Sequence, residues 1–260
     1  MTTEFATSSD GTRIAFSRAG AGPTLVLVDG AMCYRDFGPS QPFTDELKGG
    51  FTVVSYDRRG RGESGDSSTY DVALEIADLK AVLDAVGGSA YVLGFSSGAG
   101  LAYRAAAAGV AMKKLVGYEA PWVGLRGGRD YVRDLDALNA QGRGDKMVDY
   151  FMTKMIGAPF FVPIMFRFMG SNWKKLKATG STIRYDARVM GGDFEVPAAE
   201  LAAVKVPALV AWGSKAAKEM SAGNQRVADA IPGSQTRVLE GQTHNVTPAA
   251  LAPVLREFFA

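Results

Sequence analysis

Apolar residues fall into short unbroken runs separated by longer stretches where they recur at helical spacing. Thr24-Leu25-Val26-Leu27-Val28 and Phe51-Thr52-Val53-Val54-Ser55-Tyr56 are rich in β-branched and aliphatic residues and predict buried strands. From residue 71 to 86, Val72, Ile76, Leu79, Val82, Leu83 and Val86 recur every three or four positions. That spacing predicts a helix, which Gly87-Gly88 stops. Ala90-Tyr91-Val92-Leu93 reads as a strand, residues 99–108 as an alanine-rich helix, and Leu115-Val116-Gly117-Tyr118 as the next strand. The rhythm returns with strands at 208–212 and 236–239, helices at 219–230 and 248–259, and a Pro232-Gly233 turn. Strands alternating with helices predict an α/β fold with a mostly parallel central sheet covered on both faces. At the amino end, Asp10-Gly11 divides two alternating runs between residues 5 and 17, which suits an antiparallel hairpin at the sheet edge.

Between Tyr118 and Pro207 the rhythm breaks. Helical spacing appears at 131–138 and 147–156, together with an aromatic, Met-rich run, but no clear strand. Residues 122–196 are therefore expected to form a helical cap insertion over the carboxyl edge of the sheet, with 1–121 and 197–260 as the core. There is no internal repeat and no linker long enough to separate independent domains.

Composition narrows the function classes. In 260 residues there are 29 Lys plus Arg against 27 Asp plus Glu, a formal net charge of +2. So small an excess gives no field that implies a nucleic-acid partner, and the pairs Lys113-Lys114 and Lys174-Lys175 read as solvated surface charge. With one cysteine, Cys33, and one histidine, His244, the chain offers no intramolecular disulfide and no Cys/His metal cluster. The opening residues show neither a basic nor an apolar signal region, and the apolar stretch 159–169 is too short to span a bilayer. The expectation is a soluble cytoplasmic protein with a small-molecule substrate, no metal or organic cofactor and no membrane partner; the oligomeric state is open.

Candidate chemistry begins at Gly94-Phe95-Ser96-Ser97-Gly98, a G-x-S-x-G pentapeptide between a predicted strand and a predicted helix. A serine on so sharp a turn takes a strained backbone, and its flanking glycines leave room for the crossing chain. The helix amino terminus then directs free N–H groups toward an oxyanion beside Ser96. His244, in the loop between the last strand and the last helix, follows Ser96 in chain order and is suited to act as its general base.

With these segments in place, the chain resembles the α/β-hydrolase fold family, small esterases and haloperoxidase-like serine hydrolases in particular. The resemblance rests on Val28-Asp29-Gly30-Ala31, on Tyr56-Asp57-Arg58-Arg59-Gly60-Arg61-Gly62-Glu63-Ser64, on the elbow at Ser96 and on Gly241-Gln242-Thr243-His244, in the family's order. It implies an oxyanion hole formed by the backbone N–H groups of Ser97 and Ala31. Two positions depart from the family pattern. Asp29 stands where many relatives carry His, and is expected to turn away from the oxyanion and accept backbone N–H bonds. Ala216 stands where the acid usually follows the seventh strand. Glu119, after the sixth strand, is the best substitute, as in haloalkane dehalogenases, and Glu219 is a second candidate.

Around this catalytic set the substrate-pocket candidates are Asp29, Met32, Cys33, Trp122, Phe161 and Met165. Phe160, Ile164 and Phe168 could join the last three as a roof or simply pack as core. Cys33 is expected to pack or to line the pocket, and Arg35 to pair with a protein carboxylate rather than with substrate. The leading reading is a serine hydrolase cleaving a small, largely apolar ester or related acyl compound through an acyl-enzyme on Ser96. Two alternatives stay open: C–C bond hydrolysis or cofactor-free lyase chemistry with the same residues, and a ligand-binding protein derived from a hydrolase.

Overall fold

The computed structural model describes residues 2–260. Eight strands form one sheet: β1 (Glu4–Thr7), β2 (Arg13–Ala19), β3 (Thr24–Val28), β4 (Thr52–Tyr56), β5 (Tyr91–Phe95), β6 (Lys114–Tyr118), β7 (Ala208–Gly213) and β8 (Gln235–Leu239). Their order is β1-β2-β4-β3-β5-β6-β7-β8. β1 and β2 form the antiparallel edge hairpin, β2 runs antiparallel to β4, and all later pairings are parallel.

Helices cover both faces because the central strands bury both. Leu25, Leu27, Val53, Leu93, Phe95, Val116 and Leu209 face α1 (Ser40–Leu47) and the last helix, α11 (Pro248–Phe259). Their alternates Val26, Val28, Val54, Val92, Leu115 and Val210 face α2 (Val72–Ala85), α3 (Ser97–Ala107) and α10 (Lys218–Ala230). A two-residue period thus runs through uniformly apolar strands. α2 starts where the Asp71 carboxylate accepts the Ala73 N–H at 2.7 Å. It ends where Gly87 and Gly88 take φ of 118° and 84°. α1, which lacked a clear periodic signal, is an addition to the expected elements.

Between β6 and β7 the chain is helical and contains no strand. It forms α4 (Tyr131–Ala140), α5 (Gly144–Tyr150) continuing into a π turn (Phe151–Met155), α6 (Val162–Arg167), α7 (Ser171–Ala178), α8 (Ile183–Met190) and the short α9 (Ala198–Leu201). Tyr131, Leu135, Met147, Met152, Ile183 and Met190 belong to the same buried cluster as the α3 face of the sheet, so the cap shares the core's apolar interior. Among the described residues no helix is long and apolar enough to cross a membrane.

Candidate active site

β5 ends at Phe95, and Ser96 takes φ 54° and ψ −128° before α3 begins. This strained region costs a non-glycine residue energy, which the surroundings must offset. Close packing enforces it. A Cβ on Gly94 would lie 2.5 Å from the Ala99 Cα, and one on Gly98 would strike the Val28 and Asp29 carbonyls. Gly30 approaches from the β3 side, where an added Cβ would come within 2.9 Å of the Ser96 Cβ.

The next strand over ends in a second strained residue. Glu119 has φ 49°, is fully buried, and stands beside Ser96, whose N–H donates to the Tyr118 carbonyl at 2.9 Å. Oε1 of Glu119 accepts the Gly213 N–H at 2.9 Å, and Oε2 lies 2.8 Å from His244 Nδ1. His244 Nε2 lies 3.2 Å from Ser96 Oγ. With Nδ1–H donated to the carboxylate, Nε2 carries the lone pair that faces the serine hydroxyl. Glu219 takes no part in this chain of contacts; it begins α10 and lies on the cavity rim.

Neighbours that the sequence reading passed over hold these parts. Tyr118 donates its hydroxyl to the Thr243 carbonyl at 2.6 Å, pinning the histidine loop. Asn224, fully buried on α10, accepts the Ala120 N–H at 3.2 Å and donates to the Ala120 carbonyl at 3.3 Å, bracketing the turn after Glu119. Gly213 leaves the space through which the Gln242-Thr243 backbone passes.

The backbone N–H groups of Ala31 and Ser97 flank the serine and have no protein acceptor among the described residues. Three buried arginines follow β4, and two of them, Arg58 and Arg61, reach toward these groups. Arg58 is bidentate to Glu75 at 2.6 and 2.9 Å and reaches Asp186 at 2.7 Å. Arg61 meets the other Asp186 oxygen at 2.7 Å. Arg59 turns the other way, to Asp78 at 2.7 Å and Asp10 at 3.0 Å. Burial pushes the Asp186 carboxyl up, but Arg61 and Arg58 outweigh it and hold it below the usual carboxylate range. The crowding of arginines in Asp57-Arg58-Arg59-Gly60-Arg61 is the sequence signal for this cluster, and by itself it marks only the resemblance.

Ser96, Ser97, Gly30, Ala31 and His244 open into a cavity of about 820 Å³. Its walls are largely apolar, among them Phe37, Phe43, Phe95, Tyr131, Phe151, Met155, Met190, Phe194 and Val246. Of the substrate-pocket candidates only Cys33 lines it. Its thiol, pushed up to about 12 chiefly by burial, donates to the Ala31 carbonyl at 3.3 Å. Trp122 is fully buried behind the wall, where its indole N–H donates to the Met190 carbonyl at 2.9 Å. Phe161 and Met165 point outward from α6 and its amino end, as do Phe160, Ile164 and Phe168, because α6 lies on the cap's outer surface. Met32, at φ 60°, lies outside the lining.

Asp29 also differs from expectation. It lies outside the cavity, buried, but accepts the Ser40 hydroxyl at 2.8 Å rather than backbone N–H groups; Oδ1 has no partner among the described residues. The chain from Gly38 to Ser40 packs over it and supplies the hydroxyl first. Burial, partly offset by Ser40, Arg61 and Arg58, raises its carboxyl to about 7. Arg35 pairs with Asp57 at 3.1 Å and with Glu63 at 2.5 Å. No group of three or more His, Cys, Asp and Glu side chains placed to hold a metal occurs among the described residues.

Sheet order, elbow and chain order of the contacts define an α/β hydrolase. The sequence profile of the alpha/beta hydrolase family matches residues 20–256, and the chain belongs to that family. A solved alpha/beta hydrolase from Sphaerobacter thermophilus is 42% identical over 99% of this chain and 100% of its own, with a TM-score of 0.89. An esterase from a Rhodococcus species is 22% identical over 99% and 98% of the two chains, with a TM-score of 0.70. An enol-lactonase from Burkholderia xenovorans is 18% identical over 98% and 99%, with a TM-score of 0.72. These two share the fold. No curated protein matches the chain.

Proposed function

We propose that this hydrolase is a serine hydrolase that cleaves a small, largely apolar ester or related acyl compound. The observation that carries the reading is the unbroken contact from Glu119 through His244 to Ser96 at the wall of an apolar cavity. Ser96 Oγ attacks the acyl carbon while His244 Nε2 takes its proton. The carbonyl oxygen becomes an oxyanion held by the Ser97 and Ala31 N–H groups. Glu119 keeps the imidazole in the tautomer whose Nε2 can accept, and balances the imidazolium once formed. His244 then protonates the leaving alcohol, the C–O bond breaks, and an acyl-enzyme remains on Ser96. Water, deprotonated by the same nitrogen, attacks the acyl carbon and releases the acid. No step calls for a metal or organic cofactor.

The apolar walls favour alkyl or aryl substituents, because little in them would replace the water around a polar chain. Solved structures of similar fold include an esterase and an enol-lactonase, which makes esters and lactones the first compounds to try. The ligand-binding alternative rests on the departures at Asp29 and Ala216; the contact of Glu119 with His244 supports the enzyme reading over it. A fluorophosphonate probe is expected to label Ser96 and to leave Ser96→Ala unlabelled. An unlabelled native protein that also leaves short-chain esters and lactones untouched would defeat the reading.

A further inference from the structure

Asp186 comes from α8 of the cap, yet it is buried at the cavity wall against Ser97, the residue after Ser96. One oxygen accepts the Ser97 hydroxyl at 2.7 Å and Arg58 Nη1 at 2.7 Å; the other accepts Arg61 Nη2 at 2.7 Å. Arg61 Nη1 in turn donates to the Gly30 carbonyl at 2.7 Å and to the Cys33 carbonyl at 3.2 Å. Its Nε donates to Thr182 Oγ1 at 3.0 Å. Arg58 Nη1 reaches the Asp29 carbonyl at 3.2 Å and Ser97 Oγ at 3.3 Å.

The consequence follows from the peptide plane. The Gly30 carbonyl and the Ala31 N–H belong to one rigid trans peptide and point in opposite directions. A guanidinium fixing the carbonyl therefore fixes the direction of the N–H, and the charged bond polarises the same unit, making that N–H a stronger donor. Ser97, whose own N–H is the other donor, is held through its hydroxyl by the same carboxylate. We infer that Asp186 and Arg61 are positioning residues for the oxyanion hole, so that a cap carboxylate sets the aim of both core donors. Neither bonds Ser96 or His244: Arg61 acts through the Gly30–Ala31 peptide, and Asp186, which also meets the cavity wall, acts through Arg61 and the Ser97 hydroxyl. The inference rests on the serine-hydrolase reading above.

Arg59 supplies the control. It sits in the same loop, equally buried and doubly bonded to Asp78, but contacts neither Gly30 nor Ser97. Arg61→Lys, Asp186→Asn and Arg59→Lys are compared with the native chain for the second-order rate of fluorophosphonate labelling at Ser96. They are also compared for kcat and KM on p-nitrophenyl butyrate, with thermal melts reporting folding. Arg61→Lys and Asp186→Asn should lower labelling rate and kcat roughly 10- to 100-fold at little-changed KM, less than the loss on deleting a donor outright. Arg59→Lys should melt earlier and label at the native rate. Folded Arg61→Lys or Asp186→Asn protein that labels at the native rate, a change confined to KM, or an equal loss in Arg59→Lys would each overturn the inference alone. A native protein that neither labels nor hydrolyses the ester would overturn it together with the hydrolase reading.

Discussion

The cavity has a floor and a roof built in different ways. The floor consists of strand ends: Ser96 and Glu119 hold positive φ on neighbouring strands, and Gly30, Gly94, Gly98 and Gly213 allow backbones to approach more closely than any Cβ permits. The roof consists of short helices whose apolar side chains divide between the cavity and the outside; Met155 lines the space, while Phe160 and Phe168 are 79% and 86% exposed. The floor holds close, directed contacts, which the proposed proton transfer needs, and the roof supplies apolar volume that needs no such direction. Asp186 is the roof residue that reaches through to the floor's hydrogen bonds.

This contrast can be broken from the floor. Glu119→Gln can still accept the Gly213 N–H but would turn an amide N–H toward His244 Nδ1, favouring the tautomer whose Nε2 cannot take the serine proton. The expected loss in kcat is roughly ten-thousand-fold, the scale seen when a catalytic histidine loses its orienting carboxylate. Steady-state kinetics on a short-chain ester checks it, and near-native turnover would remove Glu119 from the reaction.

A smaller effect is expected just beneath the floor, at Asp29. Its carboxyl, raised from 3.8 to about 7 chiefly by burial, keeps its proton in the folded state across a window where the unfolded chain has lost it. Stability from this group is therefore present at low pH and declines as pH rises from about 4 to about 7, then levels off. Asp29→Asn cannot ionise, so its Tm relative to the native protein should rise between about pH 5 and about pH 8. Melting curves at the two pH values decide it, and a constant difference would mean that Asp29 does not titrate there. The smallest change belongs to the roof's outer side. Phe168→Ser should alter stability by no more than about 0.5 kcal/mol and leave kcat intact; a denaturant titration and an ester assay test both.

The same contrast explains what could be read in the chain. Strands such as 24–28 and the helix at 71–86 announce themselves because their neighbours impose a regular period, and Gly94 to Gly98 is legible because a sharp turn restricts residue type. Glu119 is legible as a candidate from Ala216, since an absent acid directs attention to the adjoining strand end. The cap defeated such reasoning. Phe161, Met165 and Trp122 carry the same apolar signal, yet one lies fully inside and two face outward, because short helices bury whichever side meets distant segments. The bonds of Arg58 and Arg61 to Asp186 elude it as well: they span more than a hundred residues, and no local spacing records such a pairing.

One bond of Glu119 has a wider bearing. By accepting the Gly213 N–H it anchors itself on β7, the strand from which relatives usually project the acid. On the proposed reading the loop that follows β7 carries no catalytic group, while Ala217, Glu219 and Met220 still line the cavity. That stretch is free to vary in length and chemistry, and so to re-select what enters, without disturbing the proton path.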